Sequence, residues 1–306
     1  MRQLTVLVGG STGFVGRELV AHLSEHYPHV HVRALTRTPE SETARNLAEL
    51  PGVTVVEGNY DDVNSLEAAA DGADRAYVAC NNVAEQSRFE CNFIDACKVK
   101  GVRRIAKISM FRYFCRENGP GHGAAHYHIE QHLHSSGLNH VILHSAYYFQ
   151  SLLYFTHVIK TAGILPHLLG DMKLNMVDCR DVAQFAAALL TCNDEAFTPF
   201  NGQHVEIAGP ENLGGEDWAK ALRCAGVDVR YEKVSPEAFK QGFLSAGVPA
   251  DMAINVTAIH TCFYDGSAQI ANHATTPELV SLPGSPASPR RFEAFVREVA
   301  PIFRAS

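Results

Sequence analysis

The sequence predicts an α/β protein built on a doubly wound parallel sheet, with a smaller C-terminal α+β lobe. Residues 1–37 show a strand, a glycine-rich turn, a helix and a second strand, which is one complete βαβ unit. Strand-like and helix-like segments alternate regularly up to residue 150, as is typical of parallel sheets with right-handed crossovers. The later part of the chain instead has shorter helical patterns around a short strand-like run.

The length and composition suit one large α/β domain with an appendage. The 306 residues are 46% hydrophobic, so the chain can bury a large core. We expect residues 1–150 to form the sheet domain, completed by segments within 172–210. Residues 151–306 should form most of the C-terminal lobe, which would bind the substrate.

The composition also excludes several classes of protein. The net charge is −7 and no basic block occurs, which argues against a nucleic-acid partner. No apolar run approaches the roughly 18 residues of a membrane span, and no charged-then-apolar leader is present. The eight cysteines form no C-x-x-C pair and are interpreted as reduced. A cytoplasmic location without membrane contact is therefore expected.

The turn after the first strand has the spacing G-x-x-G-x-x-G. Gly10 permits the tight turn, Gly13 lets the backbone approach a pyrophosphate, and Gly16 lets the helix pack closely on the sheet. The helix N-terminus then offers free N–H groups and a partial positive charge to phosphates. The turn predicts a dinucleotide site, and an ordinary tight turn is the alternative. The predicted cofactor contacts are Gly10, Ser11, Thr12, Gly13, Phe14, Val15 and Gly16.

Arg37 follows the second predicted strand and indicates which cofactor is bound. An NAD site would place a carboxylate about 20 residues after the glycines, where it holds the ribose 2′-hydroxyl. Between Val30 and Thr38 there is no Asp or Glu, and Arg37 lies at the expected distance. A guanidinium can bind a 2′-phosphate bidentately, so NADP(H) is expected. A solvated loop arginine is the alternative.

Alternating segments continue the sheet after Arg37. The predicted helices are 39–50, 63–70, 86–100 and 122–134, and the predicted strands are 53–57, 74–80, 104–109 and 140–144. Polar or aromatic residues follow three of these strands, at the sheet edge where ligands of open α/β sheets bind. They are predicted cofactor contacts: Asn59, Tyr60, Asn81, Asn82, Tyr148 and Phe149. Asn59 could accept from the adenine amino group, and helix capping is the alternative.

The chain after residue 150 is expected to build the cleft wall and a lid. An apolar helix from 151 leads to 163–166, Asp178 caps a helix that reaches 190, and 205–208 returns a strand to the sheet. The lobe then has the following predicted elements: helices 218–225 and 236–246, strand 229–233, a Pro/Ser/Gly-rich connector at 275–286 and a final helix at 290–303.

Loop 110–121 and helix 122–134 carry the remaining candidate residues. The loop is aromatic and basic, so Tyr113 is a candidate for the substrate pocket, and surface packing is the alternative. On the helix, His122, His126 and Glu130 are spaced by four and share one face. A zincin motif would need glutamate directly after His128, where this chain has isoleucine, so no metal site is expected.

These motifs resemble the NmrA-like family of atypical short-chain dehydrogenases. The resemblance is carried by the glycine turn, Arg37, residues 58–61, Ser109 and the run 126–138, and it continues in 177–183, 207–211 and 289–296. It implies an NADP(H)-binding Rossmann domain with a lobe that closes over a cleft. Family members reduce quinones, enones or imines, or bind the cofactor as regulators without known catalysis.

The candidate catalytic helix departs from the pattern of short-chain dehydrogenases. Those enzymes carry Tyr-x-x-x-Lys here, whereas this chain has His122-x-x-x-His126. His126 stands at the lysine position and could protonate the substrate or orient the nicotinamide ribose. A packed helix histidine is the alternative. Ser109 could bind a substrate oxygen or cap its strand, and Tyr113 completes the candidate catalytic set.

Two functions are consistent with these features. The first is an NADPH-dependent reductase that transfers hydride to a small enone, quinone or imine, with His126 as candidate proton donor. The second is a catalytically silent NADP(H) sensor that acts through a protein partner. The missing Tyr–Lys pair favours the sensor, and the aromatic, histidine-rich cleft favours the enzyme.

Overall fold

The computed structural model describes residues 3–268 and 274–304. The strands are β1 (Leu4–Val8), β2 (Val30–Thr36), β3 (Val53–Glu57), β4 (Arg75–Val78), β5 (Arg104–Ser109), β6 (Asn139–Ser145), β7 (Tyr147–Tyr148), β8 (Ile164–His167), β9 (Leu174–Val177), β10 (Gln203–Ile207), β11 (Glu211–Leu213) and β12 (Arg230–Lys233). The helices are α1 (Phe14–His26), α2 (Glu42–Ala48), α3 (Val63–Ala70), α4 (Gln86–Val99), α5 (Gly123–Ser135), α6 (Thr156–Ala162), α7 (Cys179–Thr191), α8 (Asp194–Phe197), α9 (Gly215–Cys224), α10 (Pro236–Ser245), α11 (Ala250–Tyr264), α12 (Pro277–Val280) and α13 (Phe292–Phe303).

Seven strands form a parallel sheet in the order β10-β6-β5-β4-β1-β2-β3. Because β1 pairs with both β2 and β4, the chain winds outward from β1 in both directions. The predicted doubly wound parallel sheet is confirmed. In such sheets the crevice for a ligand opens at the carboxyl ends of the strands beside this reversal.

The core explains why the sheet strands are so apolar. Val6 and Val8 of β1 are fully buried with residues of α1 and α7, whereas Leu7 is buried on the other side with residues of α3 and α4. A parallel strand covered on both faces needs apolar side chains in both directions. Lys107 of β5 breaks this rule, because it is a fully buried cation in the middle of the sheet.

The C-terminal lobe has its own aromatic core. Two small sheets, β11-β9-β7 and β12-β8, support it. Its largest buried side chains include Phe149, Trp218, Phe292, Phe295 and Phe303. The ring of Phe263 on α11 packs against Phe111 and Phe114, so α11 lies against the loop that follows β5.

Several predicted elements match the observed ones closely. Asp178 caps α7 as expected, because its side chain accepts a hydrogen bond from the Arg180 N–H. The predicted connector at 275–286 contains the short helix α12. Several elements were not predicted, and β8 and α11 are the two most informative of them. The strand β8 follows Gly163, whose φ of +63° ends α6, and it becomes a strand only by pairing with the distant β12.

The helix α11 was also missed, although it has 15 residues. Its sequence is rich in β-branched residues, which are weak helix formers, and Pro249 at its N-cap position offers no side-chain hydrogen bond. Packing against α10 and the loop after β5 stabilises it instead. None of the helices in the described residues has the length and apolarity needed to cross a lipid bilayer.

Candidate active site

The glycine turn has the geometry of a phosphate-binding turn. Gly10 has φ of +70°, and a Cβ there would lie 2.5 Å from the Ala79 carbonyl oxygen. A Cβ on Gly16 would collide with the Gly10 carbonyl oxygen. Gly13 is different, because a Cβ on it would have one neighbour within 4 Å, the Gly10 oxygen at 3.3 Å. Its outer face is therefore open to a close ligand.

The helix α1 begins directly after Gly13, which has no side chain to cap the first N–H groups. Those groups are free to bind an anion. The Ser11 hydroxyl is buried and donates to the Leu35 carbonyl at 2.7 Å, so it ties the turn to β2. Thr12 is exposed, and Val15 is buried in the core. The Phe14 ring packs edge-on against Tyr154 of the lobe.

Arg37 follows the last residue of β2 and is exposed. In the described part of the chain, no hydrogen bond or ion pair engages its guanidinium. The cation is therefore available at the sheet edge, next to the glycine turn. This arrangement fits a 2′-phosphate.

Asn59 and Tyr60 lie at the end of β3 in different environments. Asn59 is exposed, and its side-chain oxygen accepts from the Asp61 N–H at 3.1 Å. Asp62, not Asn59, caps α3. The Tyr60 hydroxyl donates to the Ala79 carbonyl at 2.8 Å and lies where a Cβ of Gly9 would be. Tyr60 thus supports the turn from behind.

The remaining predicted cofactor contacts differ in their exposure. Asn81 is exposed and Asn82 half-buried after β4. The Tyr148 hydroxyl accepts from the Ser145 hydroxyl at 2.9 Å. The Phe149 side chain is fully buried against Phe292 and Phe295, inside the lobe core.

A buried ion pair lies beneath this edge. Lys107 Nζ is 3.4 Å from Glu90 Oε2, 2.9 Å from His126 Nδ1 and 2.7 Å from the Ile108 carbonyl. Gln86 donates to Glu90 at 3.0 Å, and the Cys80 backbone also hydrogen-bonds this carboxylate. Burial raises the pKa of Glu90, and the Lys107 charge opposes that shift.

His126 is held neutral by these neighbours. Its pKa is lowered well below 6.5, first by burial and then by the Lys107 charge. An ammonium group can only donate, so Nδ1 accepts and the ring hydrogen lies on Nε2. The Gln86 amide nitrogen, which donates to Glu90, is also 3.3 Å from Nε2. The geometry favours an orienting role for His126 over proton donation.

Ser109 and Glu130 form a second polar contact at the same edge. The Ser109 hydroxyl donates to Glu130 Oε1 at 2.5 Å, and both residues are buried. Burial raises the pKa of Glu130. As predicted, His122, His126 and Glu130 share one buried face of α5. The Cys115 sulfur is 3.5 Å from the Ser109 hydroxyl, and burial raises the pKa of this thiol to about 12.

The donor atoms of Cys115, Glu130 and His144 lie within 4.8 Å of one another. Ser109 already hydrogen-bonds Glu130, and His204 hydrogen-bonds His144. We therefore describe this group as a hydrogen-bonded cluster.

Tyr113 lies on a single 3₁₀ turn after β5. Its side chain is partly exposed, and its hydroxyl donates to the Ser267 carbonyl at 2.9 Å. This bond ties the loop to the segment after α11. Tyr113 is therefore much more exposed than Ser109, which is buried.

Comparison with known proteins identifies the family. The model of the NmrA-like family matches residues 2–295. The chain belongs to the NmrA-like family. A (4-alkanoyl-5-oxo-2,5-dihydrofuran-3-yl)methyl phosphate reductase of Streptomyces griseus is 30% identical over 245 residues, which cover 80% of this chain and 82% of the relative.

Two further comparisons show what else this chain is similar to. An NAD(P)H azoreductase of Xenophilus azovorans is 28% identical over 249 residues, which cover 81% of this chain and 83% of the relative. The crystal structure of NmrA, a negative transcriptional regulator in complex with NADP, aligns with a TM-score of 0.78 and 18% identity, covering 99% of this chain and 97% of that one. That likeness shows the shared fold.

This member of the NmrA-like family brings its buried cation from an unexpected element. The sequence pattern placed His126 where related enzymes carry lysine, and the structure supplies Lys107 from β5 to the same ring. Sequence reasoning missed Lys107 and Glu90. The available signal was a lysine at an inward position of an apolar parallel strand, where a charge must find a buried partner.

Proposed function

We propose that this protein is an NADPH-dependent reductase of a small enone, quinone or imine. The observation that carries the proposal is the buried Lys107–His126 contact at the carboxyl edge of the sheet, beside an open phosphate turn. Two relatives in the family are reductases by name, and one of them uses NAD(P)H. When bound, NADPH supplies the hydride.

The glycine turn and Arg37 would hold the cofactor. The open face of Gly13 and the uncapped N-terminus of α1 would bind the pyrophosphate. The exposed Arg37 guanidinium would bind the 2′-phosphate and so select NADP(H) over NAD(H). Asn59, Asn81, Asn82 and Tyr148 would line the rest of this site, and Tyr60 would support the turn from behind.

Lys107, His126 and Ser109 would form the reacting end. Burial and then the Lys107 charge keep His126 neutral, with its ring hydrogen on Nε2, and this N–H can orient the nicotinamide ribose. The Ser109 hydroxyl can donate to an oxygen or nitrogen of the substrate that gains charge as hydride arrives. The substrate is thus a small molecule that must take up a proton after it has accepted the hydride.

The alternative is an NADP(H)-binding regulator. His122 occupies the position of the missing tyrosine, is buried, and has its pKa lowered to about 4 by burial. It is therefore neutral and does not replace a catalytic phenol. The structural likeness to NmrA is compatible with this alternative.

NADPH oxidation against a panel of quinones, enones and imines, with calorimetry of cofactor binding in the same samples, separates the two functions. We expect turnover with at least one acceptor. Tight NADPH binding without any turnover would overturn the reductase proposal and favour the regulator. In an active enzyme, His126→Ala should reduce kcat while NADPH still binds.

A further inference from the structure

Four histidines form a continuous hydrogen-bonded array between solvent and Glu130. His134 lies on the last turn of α5, His140 and His144 on β6, and His204 on β10. His140 Nε2 is 2.9 Å from His134 Nδ1, and His134 Nε2 is 3.0 Å from His204 Nε2. His204 Nδ1 is 2.7 Å from His144 Nε2. His134 is exposed and His144 fully buried, so the array runs inward from the surface.

The inner end of the array meets the proposed active site. His144 Nε2 is 3.9 Å from Glu130 Oε1, and His204 Nδ1 is 4.0 Å from Glu130 Oε2. Glu130 in turn accepts from the Ser109 hydroxyl at 2.5 Å. Ser109 and His144 are direct neighbours in the β5–β6 ladder, which fixes their spacing. Hydrogen bonds thus join the four histidines to one another and Ser109 to Glu130, and a charge contact of 3.9–4.0 Å separates the two groups.

The hydrogen bonds of the array require one proton more than neutral rings provide. His144 Nδ1 lies 2.8 Å from the Met110 carbonyl, and His140 Nδ1 lies 2.9 Å from the Leu138 carbonyl. Carbonyl oxygens only accept, so both nitrogens must carry hydrogens. With the three bonds between rings, the array has five bonds to fill. Four neutral imidazoles supply only four hydrogens, so a fully bonded array holds one shared excess proton.

The surroundings provide both favourable and opposing charges. Groups facing the array from neighbouring elements are Glu130 and His126 on α5, Lys107 on β5, Glu206 on β10, and Arg112 and Cys115 in the loop after β5. Burial lowers the pKa of His144 and of His204 to about 4, while Glu206 acts in the opposite direction on both. A proton shared along the array next to the Glu130 carboxylate is less costly than one confined to a single buried ring.

We propose that the array relays protons from solvent to Ser109 during turnover, an inference that rests on the proposed reductase function. After hydride adds to the acceptor, the Ser109 hydroxyl gives its proton to the resulting anion. The array's excess proton passes from His144 to the Glu130 carboxylate and from there to Ser109. His204 and His134 then pass the next proton inward from water. One proton from water is used for each hydride transferred, and no other reactant is consumed.

The test compares two relay variants with a matched control. His134→Ala and His204→Ala should each lower kcat about tenfold. Loss of a general acid typically costs ~10²–10⁴-fold, and the effect here is smaller because water can partly replace a ring. The solvent deuterium isotope effect on kcat should rise, and added imidazole should restore rate. His128→Ala removes an exposed histidine of the same helix outside the array and should leave kcat unchanged. Unchanged NADPH affinity shows that each variant is folded. If His204→Ala does not fold, His134→Ala still tests the relay, because His134 is exposed.

Two results would overturn the relay. The first is an active wild-type enzyme whose His134→Ala and His204→Ala variants both keep its kcat, pH profile and isotope effect. If the wild-type protein turns over no acceptor, the reductase function fails, and ¹⁵N NMR of the histidine rings decides the array separately. Five ring hydrogens shared by the four residues, at mildly alkaline pH, would support the array as a proton carrier. Four neutral rings would overturn it.

Discussion

Lys107 on β5 places its Nζ 2.9 Å from Nδ1 of His126 on α5. A strand and a helix thus jointly build a cation–imidazole contact, whereas the Tyr-x-x-x-Lys pattern takes both of its groups from one helix. The cation is balanced by Glu90 on α4, and both charged groups are fully or almost fully buried. The contact therefore depends on three separate elements.

Replacing Lys107 should destabilise the fold. Lys107→Met leaves the Glu90 carboxylate buried without its partner, and breaking a buried pair in this way costs about 3–5 kcal/mol in the free energy of unfolding. Urea unfolding followed by circular dichroism measures the loss. Adding Glu90→Gln should recover part of it.

The pair of Arg103 with Asp74, in which the Arg103 side chain is 62% exposed, provides the comparison for that prediction. Arg103→Met should cost less than about 1 kcal/mol, because solvent screens a surface ion pair. A double variant Lys107→Met/Glu90→Gln no more stable than Lys107→Met alone would show that the buried carboxylate is not the cause.

Arg37 should determine cofactor preference. Arg37→Asp should weaken NADPH binding by at least about tenfold while changing NADH binding much less, because only NADPH carries the 2′-phosphate. Calorimetry with both cofactors measures this. Arg297→Asp reverses the same charge on α13 and should alter neither affinity. Equal losses for both cofactors in Arg37→Asp would show that Arg37 does not contact the 2′-phosphate.

Two glycines of the turn should respond differently to alanine. Gly13→Ala adds a methyl group on the open face, so it should weaken NADPH binding about tenfold with little change in Tm. Gly16→Ala drives a methyl group into the Gly10 carbonyl and should cost about 1–3 kcal/mol of stability.

Gly242 on α10 provides the control for both variants. It has open space for a Cβ, so Gly242→Ala should raise stability by up to about 1 kcal/mol and leave NADPH affinity unchanged. Identical effects of Gly13→Ala and Gly16→Ala on Tm and affinity would contradict the proposed division of roles.

Stability should fall in acid through His260 of α11. His260 donates from Nδ1 to the Val256 carbonyl and accepts at Nε2 from the Tyr147 hydroxyl at 3.0 Å. Burial lowers its pKa from 6.5 to about 4 in the folded protein. Because the unfolded chain binds the proton more readily, this residue's effect is to lower stability as pH falls from about 6.5 to about 4.

Urea unfolding at several pH values tests this, with His260→Gln as the variant. Glutamine does not titrate, so the variant should lose less stability between pH 7 and pH 5 than the wild type. An exposed histidine variant, His128→Gln, should keep the wild-type pH dependence. A His260→Gln protein with the same acid dependence as the wild type would exclude His260 as a cause.

The sheet domain was predictable because its signals are local. Apolar strands, the glycine spacing and helical periodicity each depend on residues close in sequence, and they placed the strands at 53–57 and 104–109 exactly. The lobe was less predictable. The strand β8 depends on β12, which lies more than 60 residues later, and α11 depends on packing rather than propensity.

By itself, the sequence determined the βαβ start, the doubly wound sheet, the family, and the glycines and Arg37 of the proposed cofactor site. Only the tertiary structure decided the polar interior. The Lys107–Glu90–His126 cluster and the four-histidine array join residues from different strands and helices. No spacing along the chain encodes these contacts, because the burial that forces charged and polar groups to find partners arises only once the sheet and its covering helices have packed together.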